Sequence, residues 1–303
     1  MLARTFEDHF FELITPQLGN MEFVKRHHLE GLLYSRWHQQ DFKSFWMKNF
    51  YRNSQLQQFL MELDTDLSVD FQIFLIKGAS LWKRLYENIG ERFMSDIDVY
   101  VHKKNLLELS QKLKRIGFKE QSEKKWKANS FKTVFIKKNN NLEIVLEVHT
   151  QLFWTQSVSF LKGEKLSKYT SFSKMDTNLE FLHLCTHLAF QHTYISLHWL
   201  YEIALYYDNY CEDIDLDAVK AMAIENQVFH SLQSVLWLLK HKFKFNIQLG
   251  EAPNLNYLFE KIFTESFLSN PKSQKFKFIC LKNLLKDRLR DNLSYNVGWI
   301  ASR

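Results

Sequence analysis

Proline and glycine are scarce in this chain, three and eight residues among 303. So few breakers favour long helices and few tight turns, and each glycine then needs a local reason. Cysteine is equally sparse. Cys185, Cys211 and Cys280 are odd in number, lie far apart and form no Cys-x-x-Cys. That excludes a disulfide framework or a cysteine zinc site and fits a reducing, cytoplasmic setting. No apolar run reaches membrane-spanning length. The opening Met-Leu-Ala-Arg-Thr-Phe-Glu-Asp-His carries acids and lacks the apolar core of a signal peptide. A cytoplasmic protein with no membrane partner is expected.

What is present describes a folded protein of 36.5 kDa, 46% hydrophobic and 24% charged, enough for one large or two modest domains. The formal charge is +6 and the isoelectric point about 9.0. From Lys272 to Arg290, seven basic residues stand against one acid, Asp287, an excess equal to that of the whole chain. A solvated helix face explains such a run; a contact surface for RNA or an acidic partner is the sharper reading.

Hydrophobic periodicity divides the chain into three segments. Residues 1–68 read as helices, with Leu56, Phe59, Leu60 and Leu63 at helical spacing. Residues 69–155 change period. Ile73–Ile76 is a short, wholly apolar run typical of a buried strand, and Lys77-Gly78-Ala79 turns it into a helix from about Ser80 to Tyr86. Ser95–Val101 alternates, with Ile97, Val99 and Val101 on one face and Asp96, Asp98 and Tyr100 on the other. Asn105 is a suitable N-cap for a helix ending at Gly117. Residues 131–138 and 142–149 read as a hairpin across Asn139-Asn140-Asn141, with Glu143, Val145, Glu147 and His149 opposite its apolar face. Residues 156–303 return to the helical period, with helices expected over 177–193, 197–211, 215–226, 228–242, 254–268 and 274–290. The fold class is α+β, a small mixed-sheet core embedded between helical segments.

The chemistry concentrates in the middle segment. Asp96 and Asp98 point to one face of a strand, where a divalent metal can bridge them and a carboxylate from a neighbouring strand can complete the site. A Gly-Ala-Ser turn opening a helix offers backbone N–H groups, and Ser80 its hydroxyl, to phosphate. Asp-x-Asp alone carries little weight. Asp213-Ile-Asp215-Leu-Asp217 repeats it in front of a helix, where it reads as an N-cap cluster.

Lys77-Gly78-x-Ser80, Arg92-x-x-Ser95-Asp96-Ile97-Asp98 and Glu147-Val148-His149 resemble the polymerase-β-type nucleotidyltransferase superfamily. More narrowly, they resemble the bacterial "uncharacterised nucleotidyltransferase" family, with Tyr86 at that family's tyrosine. The later Phe181–His187 stretch with His198-Trp199 resembles its helical segment. The resemblance implies a polymerase-β-like core and transfer of an NMP from an NTP, foremost ATP, to a hydroxyl of a small molecule, protein or RNA, with Mg²⁺ (or Mn²⁺). It implies Asp96, Asp98 and Glu147 as catalytic metal ligands. Glu143 shares the strand face of Glu147; the match of His149 favours Glu147. Lys77, Gly78, Ser80, Arg92 and His149 are the candidate nucleotide-binding residues. The alternative is a catalytically silent module of the same fold that binds nucleotide or docks a partner.

Two further signals have bland readings. His183 and His187, i and i+4, form a possible metal pair or pack beside aromatics; no His-Glu-x-x-His accompanies them. Trp126 among Lys124, Lys125 and Lys127 suits a nucleic-acid contact or a solvated loop.

Overall fold

The computed structural model describes residues 5–67, 70–121, 132–139, 142–153, 163–165, 172–249 and 252–288. Trp126 and its lysines, and Arg290, lie outside the described residues. Two compact units emerge. One takes the described residues up to Leu29 and those from Thr177 onward; the other runs from Glu30 to Asp176.

The second unit holds the sheet. Helices α3 (Glu30–Trp37) and α4 (Gln40–Asp66) lead into β1 (Ile73–Ile76), α5 (Gly78–Leu85), β2 (Ile97–Tyr100) and α6 (Leu106–Arg115). Then come β3 (Lys119–Glu120), β4 (Lys132–Asn139), β5 (Leu142–His149), β6 (Gly163–Lys165) and β7 (Phe172–Met175). The strands form one mixed sheet in the order β3-β4-β5-β2-β1-β7-β6. β2 runs antiparallel to β1 and parallel to β5; β1 runs parallel to β7. Leu56, Phe59, Leu60 and Leu63 of α4 bury against Ile97 and Val99 of β2 and Ile144, Leu146 and Val148 of β5. That leaves Asp98, Glu147 and His149 on the opposite sheet face, as the alternation requires.

The expected elements need several corrections. The helix after β1 begins at Gly78, two residues early. Asn105 provides no side-chain cap for α6; it belongs to a 3₁₀ turn, Lys103–Asn105, in which the His102 ring accepts the Lys104 N–H at 3.4 Å. Gly117 does end α6, at φ +94°, with the Phe118 N–H returning to the Leu113 carbonyl. β4 reaches Asn139, paired with Leu142, so the hairpin closes one residue tighter than a three-residue turn allows. Where the helical period was expected from about residue 155, the described residues 163–165 and 172–175 are strands, and among the described residues helix resumes at Thr177.

The first unit is helical: α1 (Phe6–Ile14), α2 (Met21–Arg26), α7 (Thr177–Thr186), a π-helical turn (His187–Gln191), α8 (Leu197–Tyr210), α9 (Leu216–Glu225), α10 (Phe229–Lys242), α11 (Pro253–Ile262), α12 (Glu265–Ser269) and α13 (Lys275–Leu284). The Asp213–Asp217 cluster caps α9, with the Asp215 carboxylate accepting the N–H groups of Asp217 and Ala218. The single helix expected over 254–268 is two, because Thr264 caps a new start by accepting the Phe267 N–H. Buried His27 ties the early helices to the later ones. One ring nitrogen meets the Ser269 carbonyl at 2.9 Å; the other accepts the Leu197 N–H at 3.1 Å.

Candidate active site

The sheet register builds the site. Asp98 on β2 sits beside Glu147 on β5, and Tyr100 beside His149. On the other side Ile76 of β1 pairs with Asp98, so Lys77, the next residue, emerges over the same carboxylate. The Lys77 ammonium reaches Asp98 Oδ1 at 2.6 Å and His149 Nε2 at 3.5 Å. His149 Nε2 lies 2.8 Å from Asp98 Oδ1 and 3.5 Å from Glu147 Oε2. Lys132, opposite His149 in the hairpin, pairs with Glu147 Oε1.

Electrostatics separates the three acids. Burial alone would raise the Asp98 carboxyl, but the Lys77 charge and then the His149 hydrogen bond hold it well below the usual carboxylate range. Burial also raises Glu147, as does the Asp98 charge; bonds from His149 and Lys132 outweigh both and bring it below its ordinary value. Asp96 goes the other way. Burial first, then the charges of Asp98 and Glu147, push it up, and the Ser95 hydroxyl at 3.0 Å offsets this only in part. The part of that shift due to Asp98 and Glu147 is repulsion between carboxylates, which a bound cation would relieve.

The donor set fits such a cation. Asp98, Glu147 and His149 each bring one ligand atom, all within 4.8 Å of one another. Asp96 stands outside that set but within its field. Carboxylate oxygens suit Mg²⁺ and Mn²⁺, and the imidazole is more at home with Mn²⁺.

The remaining expected residues form a buried group beside this one. A Cβ on Gly78 would lie 2.3 Å from Arg92 Nη1, so this position is glycine because a guanidinium rests against it. Arg92 is 6% exposed and donates to the Phe93 carbonyl at 3.1 Å. Ser80 is buried as well. Its N–H turns to the Lys77 carbonyl and its hydroxyl accepts from Arg84 Nη1, both at 3.1 Å. Lys77, Asp98, Glu147 and His149 thus converge, while Gly78, Ser80 and Arg92 support the turn that delivers Lys77.

Sequence reasoning missed two contributors. Lys132 sits opposite His149 because Asn139 pairs with Leu142, whereas the three-residue turn expected from the sequence puts residue 131 there. Arg52 had no signal. From α4 it donates to the carbonyls of Met94 and Ser95, both at 2.7 Å, fixing the approach to Asp96.

A mixed sheet bearing registered acids beside a glycine turn defines a polymerase-β-like nucleotidyltransferase core. The family model described as "Uncharacterised nucleotidyltransferase" matches residues 21–244, and the chain belongs to that family. No curated relative and no solved structure matches it.

Proposed function

We propose that this protein transfers an NMP from an NTP, foremost ATP, to a hydroxyl of a small molecule, protein or RNA. The hydroxyl oxygen bonds to the α-phosphorus, the α–β bridging P–O bond breaks, pyrophosphate leaves and the hydroxyl proton is released. The reading rests on one observation, the placement of Asp98 and Glu147 side by side on neighbouring strands. Asp98 and Glu147, with Asp96 turning in from outside their set, would hold Mg²⁺ or Mn²⁺, which when bound would screen phosphate charge and acidify the attacking hydroxyl. Lys77 exchanges Asp98 for a phosphate oxygen, and His149 keeps the two carboxylates oriented. Gly78, Ser80 and Arg92 keep the turn in place for the nucleotide.

The test is pyrophosphate release with Mg²⁺ or Mn²⁺ across the four NTPs and a panel of hydroxyl acceptors. Asp98→Asn and Glu147→Gln should each lower it by about 10²-fold or more. Wild-type release in both variants would end this reading. A silent nucleotide-binding module is the second reading, favoured by the fact that Lys77 and Lys132 already pair with the carboxylates. It calls for thermal stabilisation by ATP with no pyrophosphate from any acceptor.

A cytoplasmic location belongs to the same proposal, as does an RNA contact at 272–290. No Asp or Glu occurs from Ser266 to Lys286, and α13 exposes Lys275 beside Phe276, which is 80% accessible. Lysine next to an aromatic suits single-stranded RNA. Reversing the charges of Lys272 and Lys275 should weaken salt-sensitive RNA binding. Among the described residues no helix is long and apolar enough to cross a membrane.

A further inference from the structure

The helical unit carries a second group of nitrogen ligands that nucleotidyl transfer does not use. α7 ends at Thr186, and His187–Gln191 forms one π-helical turn. In an α-helix, residues five apart point about 140° away from each other. A turn with i→i+5 hydrogen bonds brings them back onto one side. The His192 N–H donates to the His187 carbonyl at 3.3 Å in this way. The two imidazoles face each other as a result, with Nε2 atoms 3.0 Å apart and ring centres 4.4 Å apart. Trp199, in the first turn of α8, closes one side, 4.2 Å from the His192 ring and 5.5 Å from the His187 ring. All three side chains are half-buried.

This geometry is held against local preference. Thr193 and Tyr194 both have left-handed backbones, φ 49° and 61°. A β-branched residue is a true outlier there, and each such residue costs about 1–3 kcal/mol unless its surroundings over-determine it. They do so here. The Thr193 N–H returns to the Ala189 carbonyl at 3.0 Å, and the buried Tyr194 hydroxyl meets Ser234 Oγ at 2.6 Å.

We propose that His187 and His192 form a binding site for a divalent ion of the Zn²⁺, Ni²⁺ and Cu²⁺ class. With metal–nitrogen bonds of about 2.05 Å, two nitrogens on one ion stand about 2.9 Å apart at a right angle and about 3.3 Å at the tetrahedral angle. The observed 3.0 Å falls between. Imidazole nitrogen selects these ions over Mg²⁺ and Ca²⁺. Without an ion, one Nε2–H donates to the other ring's Nε2; the ion replaces that proton. Among the described residues no third His, Cys, Asp or Glu donor joins the pair within 4.8 Å. The i,i+4 pair suggested by sequence is not the one that converges. His183 is buried, with its ring 6.4 Å from that of His187.

Calorimetric titration of the full chain with Zn²⁺ tests this. His149→Gln serves as the control, because His149 belongs to the acidic cluster. One Zn²⁺-binding event should be present in the wild type and in His149→Gln, and weakened at least tenfold in His187→Gln and His192→Gln. Losing even an outer-shell partner costs about 10–100-fold. Unchanged Zn²⁺ binding in both of those variants, or its complete absence from His149→Gln, overturns the proposal. A second measurement needs no variant to fold. Zn²⁺ should slow diethyl pyrocarbonate modification of His187 and His192 in the wild type, read by peptide mass spectrometry. Equal modification with and without Zn²⁺ overturns it too.

Discussion

Lys77 sits at φ 52°, ψ −135°, a region that suits glycine and costs a side-chain-bearing residue about 1–3 kcal/mol. The protein keeps a lysine there, and its ammonium lands on Asp98. Two predictions separate the backbone from the charge. Lys77→Gly and Lys77→Ala both lack the amine, so any difference between them reports the backbone. Chemical denaturation should find the glycine variant more stable than the alanine variant by about 1 kcal/mol or more, the reverse of the usual order. Alanine matching glycine would mean the turn relaxes freely. Lys77→Met addresses the charge. Burial already raises the Asp98 carboxyl, and Lys77 is the largest influence lowering it. Without Lys77 that pKa rises, so Asp98 protonates at a higher pH. The acid limb of pyrophosphate release should move to higher pH, and the rate should fall by about 10²–10³-fold. A lower rate with an unmoved limb would assign Lys77 to the phosphate alone.

At the scale of elements, α4 does more than cover the sheet. Asn49, Arg52 and Asn53 share one side of it at i, i+3 and i+4. Asn49 donates to the Gly90 carbonyl at 3.3 Å, Asn53 to Ile89 and Arg92 at 2.6 and 2.8 Å, and Arg52 to Met94 and Ser95. The long connection between α5 and β2 is thus laid along a helix face before it delivers Asp96. Asn53→Ala should cost about 1–3 kcal/mol in thermal or chemical unfolding, since it removes one buried donor from two carbonyls. Arg52→Ala should act mainly on pyrophosphate release, with a smaller effect on stability. Equal losses of stability in the two variants would make Arg52 a purely structural clamp.

This arrangement also shows why only part of the site was legible. The core face of α4 stands out as Leu56, Phe59, Leu60 and Leu63, because apolar spacing survives in a single sequence. Asn49, Arg52 and Asn53 keep the helical spacing too, but their partners are loop carbonyls, which leave no residue-type signal to separate them from solvated polar residues. β1, β2 and β5 were legible from a full apolar run or a full alternation. β6 and β7 show neither, since Gly163-Glu164-Lys165 has no apolar residue and Phe172-Ser173-Lys174-Met175 is neither wholly apolar nor alternating. The hairpin register depends on whether Asn139 belongs to strand or turn, which three consecutive asparagines leave open. Lys132 was hidden with that register.

At the scale of the whole chain, the first helices group with the last ones, and His27 shows how. Its ring is fully buried between the Ser269 carbonyl and the Leu197 N–H. Two hundred and more residues separate His27 from Ser269, so no periodicity could announce the contact. The Leu197 N–H requires a ring nitrogen without a proton, so the ring must be neutral. Burial first, opposed by the Ser269 bond and then aided by the charges of Arg26 and His28, lowers its pKa from 6.5 to about 4. Between those two values the unfolded chain binds the proton and the folded chain does not. Stability from this group is therefore complete above about pH 6.5 and drains away as pH falls toward 4. Linkage sets the loss between pH 7 and pH 5 at about 2 kcal/mol. Other groups titrate in the same range, so the measurement is a difference. Unfolding free energies of wild type and His27→Gln should be compared by urea denaturation at both pH values. Glutamine cannot protonate here, so the cost of the substitution should shrink by about 2 kcal/mol on going from pH 7 to pH 5. A cost that stays constant with pH would show that His27 already carries its proton in the folded state, and that the Leu197 N–H is satisfied in another way.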